Sequence, residues 1–328
     1  MKKLYPLKFH PQWMPKAWGG EFWDLCGFEE EASVVSEGFL AENDLPDILE
    51  TYMGDLVGDE IFDWYNLYFP LLIKRLVVKD RLSVQVHPDD TVAGERFGEF
   101  GKTEFWYVLE AEPDARIWMG FKEDIDAGTL YKACQEGTAD RLMNAYTPRP
   151  GDCFFIPTGT VHAAGGGLKI AEIQESSDMT FRLYDWGREL NPATRREMHL
   201  DQALDCIDYK KYDEAACSCH LGDGAGGSAA GDGVRVLVDD PHFVITSLRL
   251  SAPARIPVAS FKSCVVLQCL TGSLKVEADG GSYALASGET MLLPASLDTV
   301  TLTPDAGGAH LLQAHIPQPS EDDGYENA

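Results

Sequence analysis

The 328-residue sequence predicts a mainly β protein with two antiparallel jelly-roll barrels and a few short helices. Short apolar segments rich in β-branched and aromatic residues alternate with glycine and proline turns, which is typical of antiparallel barrels. A glycine-rich stretch, Gly222–Gly233, interrupts all periodicity and separates two strand-rich regions. A Gly-acid-x-apolar-apolar-apolar-Pro unit also occurs twice, at Gly151–Pro157 and Gly288–Pro294. The second region is therefore interpreted as a duplicate of the first, with a chance similarity of two strand-turn units as the alternative.

The elements follow from local patterns. Capping residues ahead of apolar positions at helical spacing predict helices at Asp44–Gly54, Asp126–Tyr146 and His199–Tyr209, where Thr138 starts a second helical turn pattern within the middle one. Apolar runs bounded by turns predict the strands of the first region: Tyr68–Val78, Leu82–His87, Trp106–Leu109, Ala115–Phe121, Cys153–Ile156, Leu168–Gln174 and Thr180–Trp186. The same signals predict the strands of the second region: Val234–Val238, Phe243–Leu248, Val265–Leu270 and Met291–Leu293.

Charge and composition restrict the kinds of binding partner and the cellular compartment that the sequence predicts. Lys plus Arg total 27 against 53 Asp plus Glu, a net charge of -26, so nucleic acid and anionic membranes are poor partners. An anionic substrate would need a local cationic pocket. The sequence has no signal-peptide pattern and no apolar run of membrane-spanning length, which predicts a cytoplasmic protein with reduced thiols. The cluster Cys217-Ser-Cys219-His220 lacks a second pair of ligands at zinc-finger spacing, so we interpret it as unliganded.

Four side chains on three strand-like segments can bind a metal. Gln85 and His87 are two residues apart and share one face of a strand, Glu104 follows in the next segment, and His162 stands five residues after the Gly151–Pro157 unit. One amide oxygen, one carboxylate and two imidazoles suit a divalent ion such as zinc. A single His or Glu in a strand is more often an ordinary hydrogen-bonded residue, so the prediction depends on the combination.

The second barrel lacks this set. Thr299 stands five residues after Pro294, where His162 stands five after Pro157. These features predict a metal-binding catalytic domain at 1–221, a glycine-rich linker at 222–233, a barrel without metal at 234–317 and an acidic tail at 318–328.

Gly151, Asp152, Pro157, Gly159 and His162 resemble the second half of a cupin signature. In order along the chain, the motifs Gln85-Val-His-Pro-Asp-Asp90, Gly101-Lys-Thr-Glu104, Val161-His162 and Phe181-Arg-Leu-Tyr-Asp-Trp186 resemble the short bacterial class of type I mannose-6-phosphate isomerases. The resemblance covers about Trp13 to Arg188. It implies one zinc ion per chain, bound by Gln85, His87, Glu104 and His162.

The resemblance also implies a reaction and its residues. The family interconverts mannose 6-phosphate and fructose 6-phosphate through an enediolate, so a phosphorylated hexose is the expected partner. By position, the family's catalytic and pocket residues are Arg182, Lys102, Glu172 and Asp178, with Ser83, Lys102 and Arg182 at the substrate. Longer members carry a Tyr shortly after the last His ligand, whereas this chain has Ala163 and Ala164 there, so a relay through that Tyr is not expected.

Each of these residues also has a purely structural interpretation. Arg182 could pair with Asp178 or Asp185, and Glu172 could pair with Lys169 or Lys122. Lys102 could be a solvated turn residue and Ser83 an ordinary strand serine.

Two other functions stay open: an iron-dependent cupin oxygenase, which would not need Gln85 or the basic pair, and a non-catalytic sugar-phosphate binder. The sequence does not determine the oligomeric state.

Overall fold

The computed structural model describes residues 2–221 and 233–318. Most of the predicted linker and all of the predicted tail after Gln318 lie outside the described residues. Twenty strands run along the described chain: β1 (Leu7–Lys8), β2 (Gln12–Lys16), β3 (Gly19–Leu25), β4 (Leu71–Val78), β5 (Val84–Val86), β6 (Glu104–Ala111), β7 (Arg116–Phe121), β8 (Met143–Tyr146), β9 (Asp152–Ile156), β10 (His162–Gly165), β11 (Leu168–Glu175), β12 (Phe181–Tyr184), β13 (Ser218–His220), β14 (Gly233–Asp239), β15 (Val244–Leu250), β16 (Ala254–Ile256), β17 (Val265–Ala278), β18 (Gly281–Ala286), β19 (Thr290–Leu293) and β20 (Val300–His315).

The helices of the same residues are short: α1 (Leu45–Tyr52), α2 (Gly54–Val57), α3 (Asp59–Tyr65), α4 (Asp90–Phe97), α5 (Ala127–Gln135), α6 (Leu200–Cys206), α7 (Glu214–Cys217) and α8 (Val258–Phe261). Two 3-10 turns occur at Ala139–Leu142 and Arg188–Leu190. The predicted mainly β class is confirmed. Among the described residues, none of the helices combines the length and apolar character that a membrane span requires.

Contacts divide the chain into two compact units. The central unit takes Trp13–Trp23 and Leu72–Asp223, and the terminal unit takes the described parts of Met1–Gln12, Asp24–Leu71 and Gly224–Ala328. The sequence-based boundary assigns residues 1–71 to the first domain, whereas most of them belong to the terminal unit. The reason lies in long-range pairing, because β1 bonds to β19 in that unit and the Cys264 amide donates to the Val57 carbonyl.

The central unit contains two sheets, ordered β13-β9-β6-β11-β4-β3-β2 and β12-β5-β10-β7-β8 among the described residues. One core cluster draws alternate side chains from both sheets, including Trp106, Ile117, Met119 and Ile156. The intervening residues of the five-stranded sheet, such as Trp118, face a second cluster to which α5 and α6 contribute. This alternation is the pleat of a sheet buried on both faces, and the two facing sheets form a jelly-roll barrel.

The terminal unit is built on one large sheet ordered β1-β19-β17-β20-β15-β14, with β16 paired to β20 and β18 to β17. Its apolar core includes Leu267, Met291 and Leu311. Helix α1 begins as predicted, since the Asp44 carboxylate accepts a hydrogen bond from the Asp47 amide. The helix ends at Tyr52, two residues before Gly54, which instead begins α2.

The prediction of helix up to Tyr146 is wrong at its end. Helix α5 stops at Gln135, Gly137 takes a positive φ of 66°, and Met143–Tyr146 forms β8. This segment pairs antiparallel with β7, through Ile117 with Tyr146 among others. Pairing with the edge of β7 therefore makes this segment a strand. The helical spacing of its apolar residues does not prevent this, because so short a segment can bury the same residues as a strand.

Candidate active site

The pleat and the strand register of the five-stranded sheet bring three predicted site residues together. Val84 and Val86 face the helical side, so Gln85 faces the barrel interior, as do His162 and Arg182 on the neighbouring strands. Gln85 is the direct antiparallel partner of His162 on β10 and of Arg182 on β12. These three side chains consequently form one row across the inner face.

The seven-stranded sheet supplies the opposite wall. Glu104 and Trp106 on β6 face inwards, and their partners on β11 are Gln174 and Glu172. Lys74 reaches the same region from β4. The charged residues of this wall therefore share the inner face with the aromatic ring of Trp106.

His87, Glu104 and His162 form the candidate metal centre. The His87 Nε2 lies 3.3 Å from Oε1 of Glu104, and the His162 Nε2 lies 3.4 Å from Oε2 of the same carboxylate. One potential ligand atom from each residue lies within 4.8 Å of the others. All three side chains are almost completely buried.

The hydrogen bonds of the two imidazoles fit a cation between them. The Nδ1 of His87 lies 2.8 Å from the Met179 carbonyl, and the Nδ1 of His162 lies 2.9 Å from the Thr160 carbonyl. Since a carbonyl only accepts, both rings carry their proton on Nδ1 and direct the Nε2 lone pair at Glu104. The buried Nε2 of His87 and Oε2 of Glu104 have no hydrogen-bond partner among the described residues. Lone pairs facing a carboxylate in a buried space are what a metal ion satisfies.

Gln85 lies at the edge of this cluster. Its Nε2 is 3.3 Å from the His162 Nε2, and its Oε1 accepts a hydrogen bond of 3.0 Å from the Ser83 hydroxyl. The oxygen and nitrogen of an amide occupy almost equivalent positions, so a half-turn of the amide presents the oxygen to the cluster. The residue is in place to be the fourth ligand that the sequence predicts.

The electrostatics keep the ligands in their metal-binding forms. Burial lowers the pKa of His87 to about 4, and the charge of Lys102 adds to that shift. Burial also lowers the pKa of His162. Burial opposes ionisation of Glu104, but its His87 and Lys102 neighbours hold the pKa of this carboxyl well below its usual value. At neutral pH the cluster thus offers two neutral imidazoles and one carboxylate.

A cavity of about 190 Å³ opens beside Gln85 and Glu104. Five cationic side chains line it, namely Lys16, Lys74, Lys102, Arg182 and Arg196, against four carboxyls, those of Glu21, Glu104, Glu172 and Asp178. This is the local cationic pocket that the net charge of the chain requires for an anionic substrate. Lys102 is buried here, with its Nζ 3.1 Å from Oε1 of Glu104, so it is not a solvated turn residue.

Glu172 is a buried carboxyl at the cavity wall. Its Oε1 accepts a hydrogen bond of 2.6 Å from the Trp106 indole, and its Oε2 lies 3.6 Å from the Lys74 ammonium. It pairs with neither Lys169 nor Lys122. Burial raises the pKa of Glu172 to about 7, and the negative charge of Glu104 adds to this while Lys74 opposes it.

Lys74 is the main site residue that the sequence interpretation missed. Its Nζ donates to Oε1 of Gln174 at 2.7 Å and lies between 3.6 and 3.8 Å from carboxylates of Glu21, Glu172 and Asp178. Burial opposes its charge, but these carboxylates raise its pKa, so it stays protonated. The available signal was a lysine inside the apolar run Leu71–Val78, a position where charge is rare without a partner.

The structure excludes the ion-pair interpretation of Arg182 within the described residues. Its Nε donates to the Ser83 hydroxyl at 3.2 Å and its Nη1 to the Glu197 carbonyl at 2.5 Å. Asp185 is instead bound by Arg188 and Arg196, and Asp178 lies beside Lys16 and Lys74. Ser83 is fully buried and bridges Gln85 and Arg182.

Cys217 is the last residue of α7, and Ser218–His220 form the edge strand β13. The His220 Nδ1 lies 2.6 Å from Oδ1 of Asp152, and Cys219 is the direct partner of Cys153 on β9. These contacts give the segment a structural role in the seven-stranded sheet.

The jelly-roll barrel of the central unit, the buried His-Glu-His cluster and the cavity beside it define a protein of the cupin class with a candidate metal centre inside that barrel. Comparisons with known proteins narrow this class. A family model described as the catalytic domain of type I phosphomannose isomerase matches residues 11–103. Mannose-6-phosphate isomerase of Streptococcus mutans is 32% identical over 281 residues, which cover 86% of this chain and 84% of that protein. The chain therefore belongs to the type I mannose-6-phosphate isomerase family.

Other relatives agree. Mannose-6-phosphate isomerase ManA of Bacillus subtilis is 29% identical over 331 residues, 95% of this chain and 99% of that protein. The crystal structure of the mannose 6-phosphate isomerase from Bacillus subtilis superimposes with a TM-score of 0.79 at 26% identity, covering 95% of this chain and 99% of that chain. A mutant phosphomannose isomerase from Salmonella typhimurium, at 14% identity and a TM-score of 0.74, shares the fold.

Proposed function

We propose that the chain interconverts mannose 6-phosphate and fructose 6-phosphate, with one zinc ion bound by Gln85, His87, Glu104 and His162. The observation that carries the proposal is the pair of imidazole lone pairs directed at one buried carboxylate in the wall of a cationic cavity. Two nitrogen and two oxygen donors suit zinc, and a bound zinc ion would supply Lewis-acid stabilisation of negative charge on the sugar oxygens.

Cationic side chains of the protein also stabilise negative charge on the sugar oxygens. During isomerisation the proton on C2 of the aldose leaves, and negative charge accumulates on the oxygens of C1 and C2 in the enediolate. Arg182 and Lys102 line the cavity next to Gln85 and Glu104 and stabilise that charge. Ser83 and the Glu197 carbonyl hold the Arg182 guanidinium in one orientation, so little reorganisation is needed when charge develops.

Glu172 is the group best suited to move the proton. A carboxyl whose pKa lies at about 7 can accept a proton from carbon as the carboxylate and return it as the acid at neutral pH. In the forward direction it takes the proton from C2 and delivers it to C1, while the hydroxyl proton of O2 passes to O1, so no other reactant is consumed. The Trp106 indole and Lys74 fix the two oxygens of this carboxyl in the cavity wall. The Asp178 and Glu21 carboxylates also lie beside the Lys74 ammonium, so their negative charge partly offsets the effect of Lys74 on Glu172.

A phosphorylated hexose is the proposed partner, since the cavity is cationic within a chain of net charge -26. The cytoplasmic location and the absence of a nucleic-acid partner remain predictions from composition.

A coupled assay of fructose 6-phosphate formation, together with metal analysis of the purified protein, tests the proposal. We expect about one zinc per chain and turnover of mannose 6-phosphate that a chelator abolishes and zinc restores. His87→Ala should lose the metal and the activity together, whereas His220→Ala, outside the cavity, should keep both. Binding of the sugar phosphate without turnover would indicate a non-catalytic sensor, and bound iron with oxygen consumption an oxygenase.

A further inference from the structure

Gln174 is a fully buried amide beside the candidate metal centre. It lies on β11, where it is the direct antiparallel partner of Glu104 on β6. Its Oε1 accepts a hydrogen bond of 2.7 Å from the Lys74 ammonium, and its Nε2 donates to the carbonyls of Glu175 and Ser177 at 2.9 and 2.5 Å. One neutral side chain thus bonds to a cavity lysine on one side and to the main chain on the other.

The three partners fix the orientation of this amide. An ammonium group can only donate, so the oxygen of Gln174 must face Lys74. Main-chain carbonyls can only accept, so the N–H groups must face Glu175 and Ser177. A half-turn of the amide would replace all three hydrogen bonds by repulsive contacts in a buried space, where unsatisfied polar groups are costly. The amide therefore has one stable orientation.

The hydrogen bond to Gln174 defines where the Lys74 charge lies. The carboxylate oxygens of Glu21, Glu172 and Asp178 lie farther from this ammonium, at 3.6 to 3.8 Å. Coulomb attraction to several surrounding carboxylates has little directional preference, whereas a hydrogen bond requires a defined distance and angle. The amide is also uncharged, so it holds Lys74 beside Glu172 without offsetting the effect of Lys74 on that carboxyl.

The N–H groups of Gln174 hold the connection from β11 to β12. In this connection the Ser177 amide donates to the Glu175 carbonyl at 2.8 Å, and the Met179 amide donates to the Ser177 hydroxyl at 3.3 Å. The Met179 carbonyl in turn accepts the hydrogen bond of 2.8 Å from Nδ1 of His87. Because Gln174 binds two carbonyls of this compact segment, it constrains the backbone that orients the His87 imidazole.

We propose that Gln174 is a positioning residue for the site. Its amide oxygen fixes the Lys74 ammonium beside Glu172, and its N–H groups fix the β11–β12 connection that orients His87. The part of the assignment that acts through Lys74 rests on the proposed function, in which Glu172 moves the proton. The part that acts through the connection concerns the geometry of the candidate metal centre and does not require turnover.

Amide hydrogen exchange tests the assignment without a metal or a substrate. Gln174→Met keeps a side chain of similar length but removes all three hydrogen bonds, so the amides of Ser177 and Met179 should exchange about 10-fold faster. Gln313→Met is the matched control, because Gln313 is a buried glutamine on β20 of the terminal unit; it should leave these exchange rates at the wild-type value. Unchanged rates in Gln174→Met, or the same increase in the control, would overturn the assignment.

Release of zinc from the loaded protein to a chelator gives a second readout. Gln174→Met should release zinc about 10-fold faster, the low end of the effect expected when the hydrogen bonds behind a ligating histidine are disturbed. Gln174→Glu keeps the shape of the side chain and serves if the methionine variant does not fold. It should release zinc at least as fast, because an ionised carboxylate repels the Glu175 and Ser177 carbonyls. Wild-type release from the Gln174 variants would overturn the role of the N–H groups.

Steady-state kinetics test the contact with Lys74. Per zinc-loaded molecule, Gln174→Met should lower kcat for mannose 6-phosphate about 10-fold and change KM by less than about twofold, because the displaced ammonium acts on proton transfer. Loss of folding alone would reduce the number of loaded molecules and leave kcat per zinc unchanged, and that result would overturn the contribution through Lys74. If wild-type protein formed no fructose 6-phosphate, the proposed function would fail, while hydrogen exchange would still decide whether Gln174 holds the connection.

Discussion

The turns at Gly151–Pro157 and Gly288–Pro294 are built alike in the two units. Gly151 and Gly288 both have positive φ, 92° and 83°. In each turn the acidic side chain accepts a hydrogen bond from the backbone amide three residues earlier, Asp152 from Arg149 and Glu289 from Ala286. The next residues form β9 in one unit and β19 in the other.

The two turns lead into different surroundings. After Pro157 the chain reaches His162, which is fully buried and directs Nε2 at Glu104. After Pro294 it reaches Thr299, which is exposed, and the nearby interior is filled by apolar residues such as Leu293 and Leu297. The same turn is thus compatible with a candidate metal centre in one unit and with an apolar core in the other. Removal of the metal ligands should therefore affect chemistry far more than folding.

The largest expected effect comes from His162→Ala set beside Thr299→Ala. The first variant should lose bound zinc and fall to background activity, because it removes an imidazole ligand from the buried cluster. The second should leave zinc content and kcat/KM unchanged. Metal analysis and anomalous scattering at the zinc edge check both, and a second zinc site inside the terminal unit would contradict the comparison.

Glu172→Gln should lower kcat by about 1,000-fold, since an amide cannot exchange the proton. In the wild type, kcat/KM should increase with pH as Glu172 loses its proton, because only the carboxylate can accept a proton from carbon. The pKa of Glu172 is about 7, and a metal ion beside Glu104 would lower it, so this acidic limb of the profile should lie at or below pH 7. The variant should lack this limb in a pH–rate profile. A wild-type limb retained in the variant would assign the proton transfer to another group.

Arg182→Lys should lower kcat/KM by a factor that corresponds to about 2–4 kcal/mol of lost transition-state stabilisation. Zinc content and thermal stability should be preserved. An ammonium group keeps the charge but loses the planar set of donors that Ser83 and the Glu197 carbonyl hold in place. Steady-state kinetics with mannose 6-phosphate measure the change. Wild-type rates in this variant would make Arg182 a structural residue.

The smallest effects are expected at the two turns themselves. Gly151→Ala and Gly288→Ala should each lower the free energy of unfolding by about 1–2 kcal/mol, the strain of a side chain at positive φ. Only Gly151→Ala should also weaken zinc binding, because its turn leads to His162. Chemical denaturation and a zinc-chelator competition separate the two consequences; equal zinc affinities would show that the turn does not position the ligand.

Much of the barrel could be predicted because its signals are local. Apolar runs and turn residues predicted β9 and β11 to within one residue of their ends, the middle of β6, and β4 with three extra residues at its start. The i, i+2 spacing likewise predicted that Gln85 and His87 share one face of their segment. The motifs likewise pointed to Glu104 and His162, which the register brings into contact with them. Neighbouring strands in a pleated sheet make such contacts a direct outcome of the pattern.

Other features depend on contacts distant in sequence. Lys74 is a hundred residues from its hydrogen-bond partner Gln174, so no local pattern shows that a buried charge there is satisfied. The pairing of Arg196 with Asp185 crosses a 3-10 turn that the sequence did not suggest. The β1–β19 pairing, which draws the N-terminus into the terminal unit, is likewise visible only in three dimensions.

Both imidazoles are oriented by main-chain carbonyls, those of Met179 and Thr160, and not by side chains. The ring orientation therefore does not depend on the identity of either residue, and substitutions at these two positions leave the acceptor in place. Substitutions of side chains in the cavity wall can then change which sugar phosphate is accepted without disturbing the orientation of the two imidazoles. Because the cavity side chains can change independently of the two imidazoles, the barrel is a favourable starting point for new isomerase specificities.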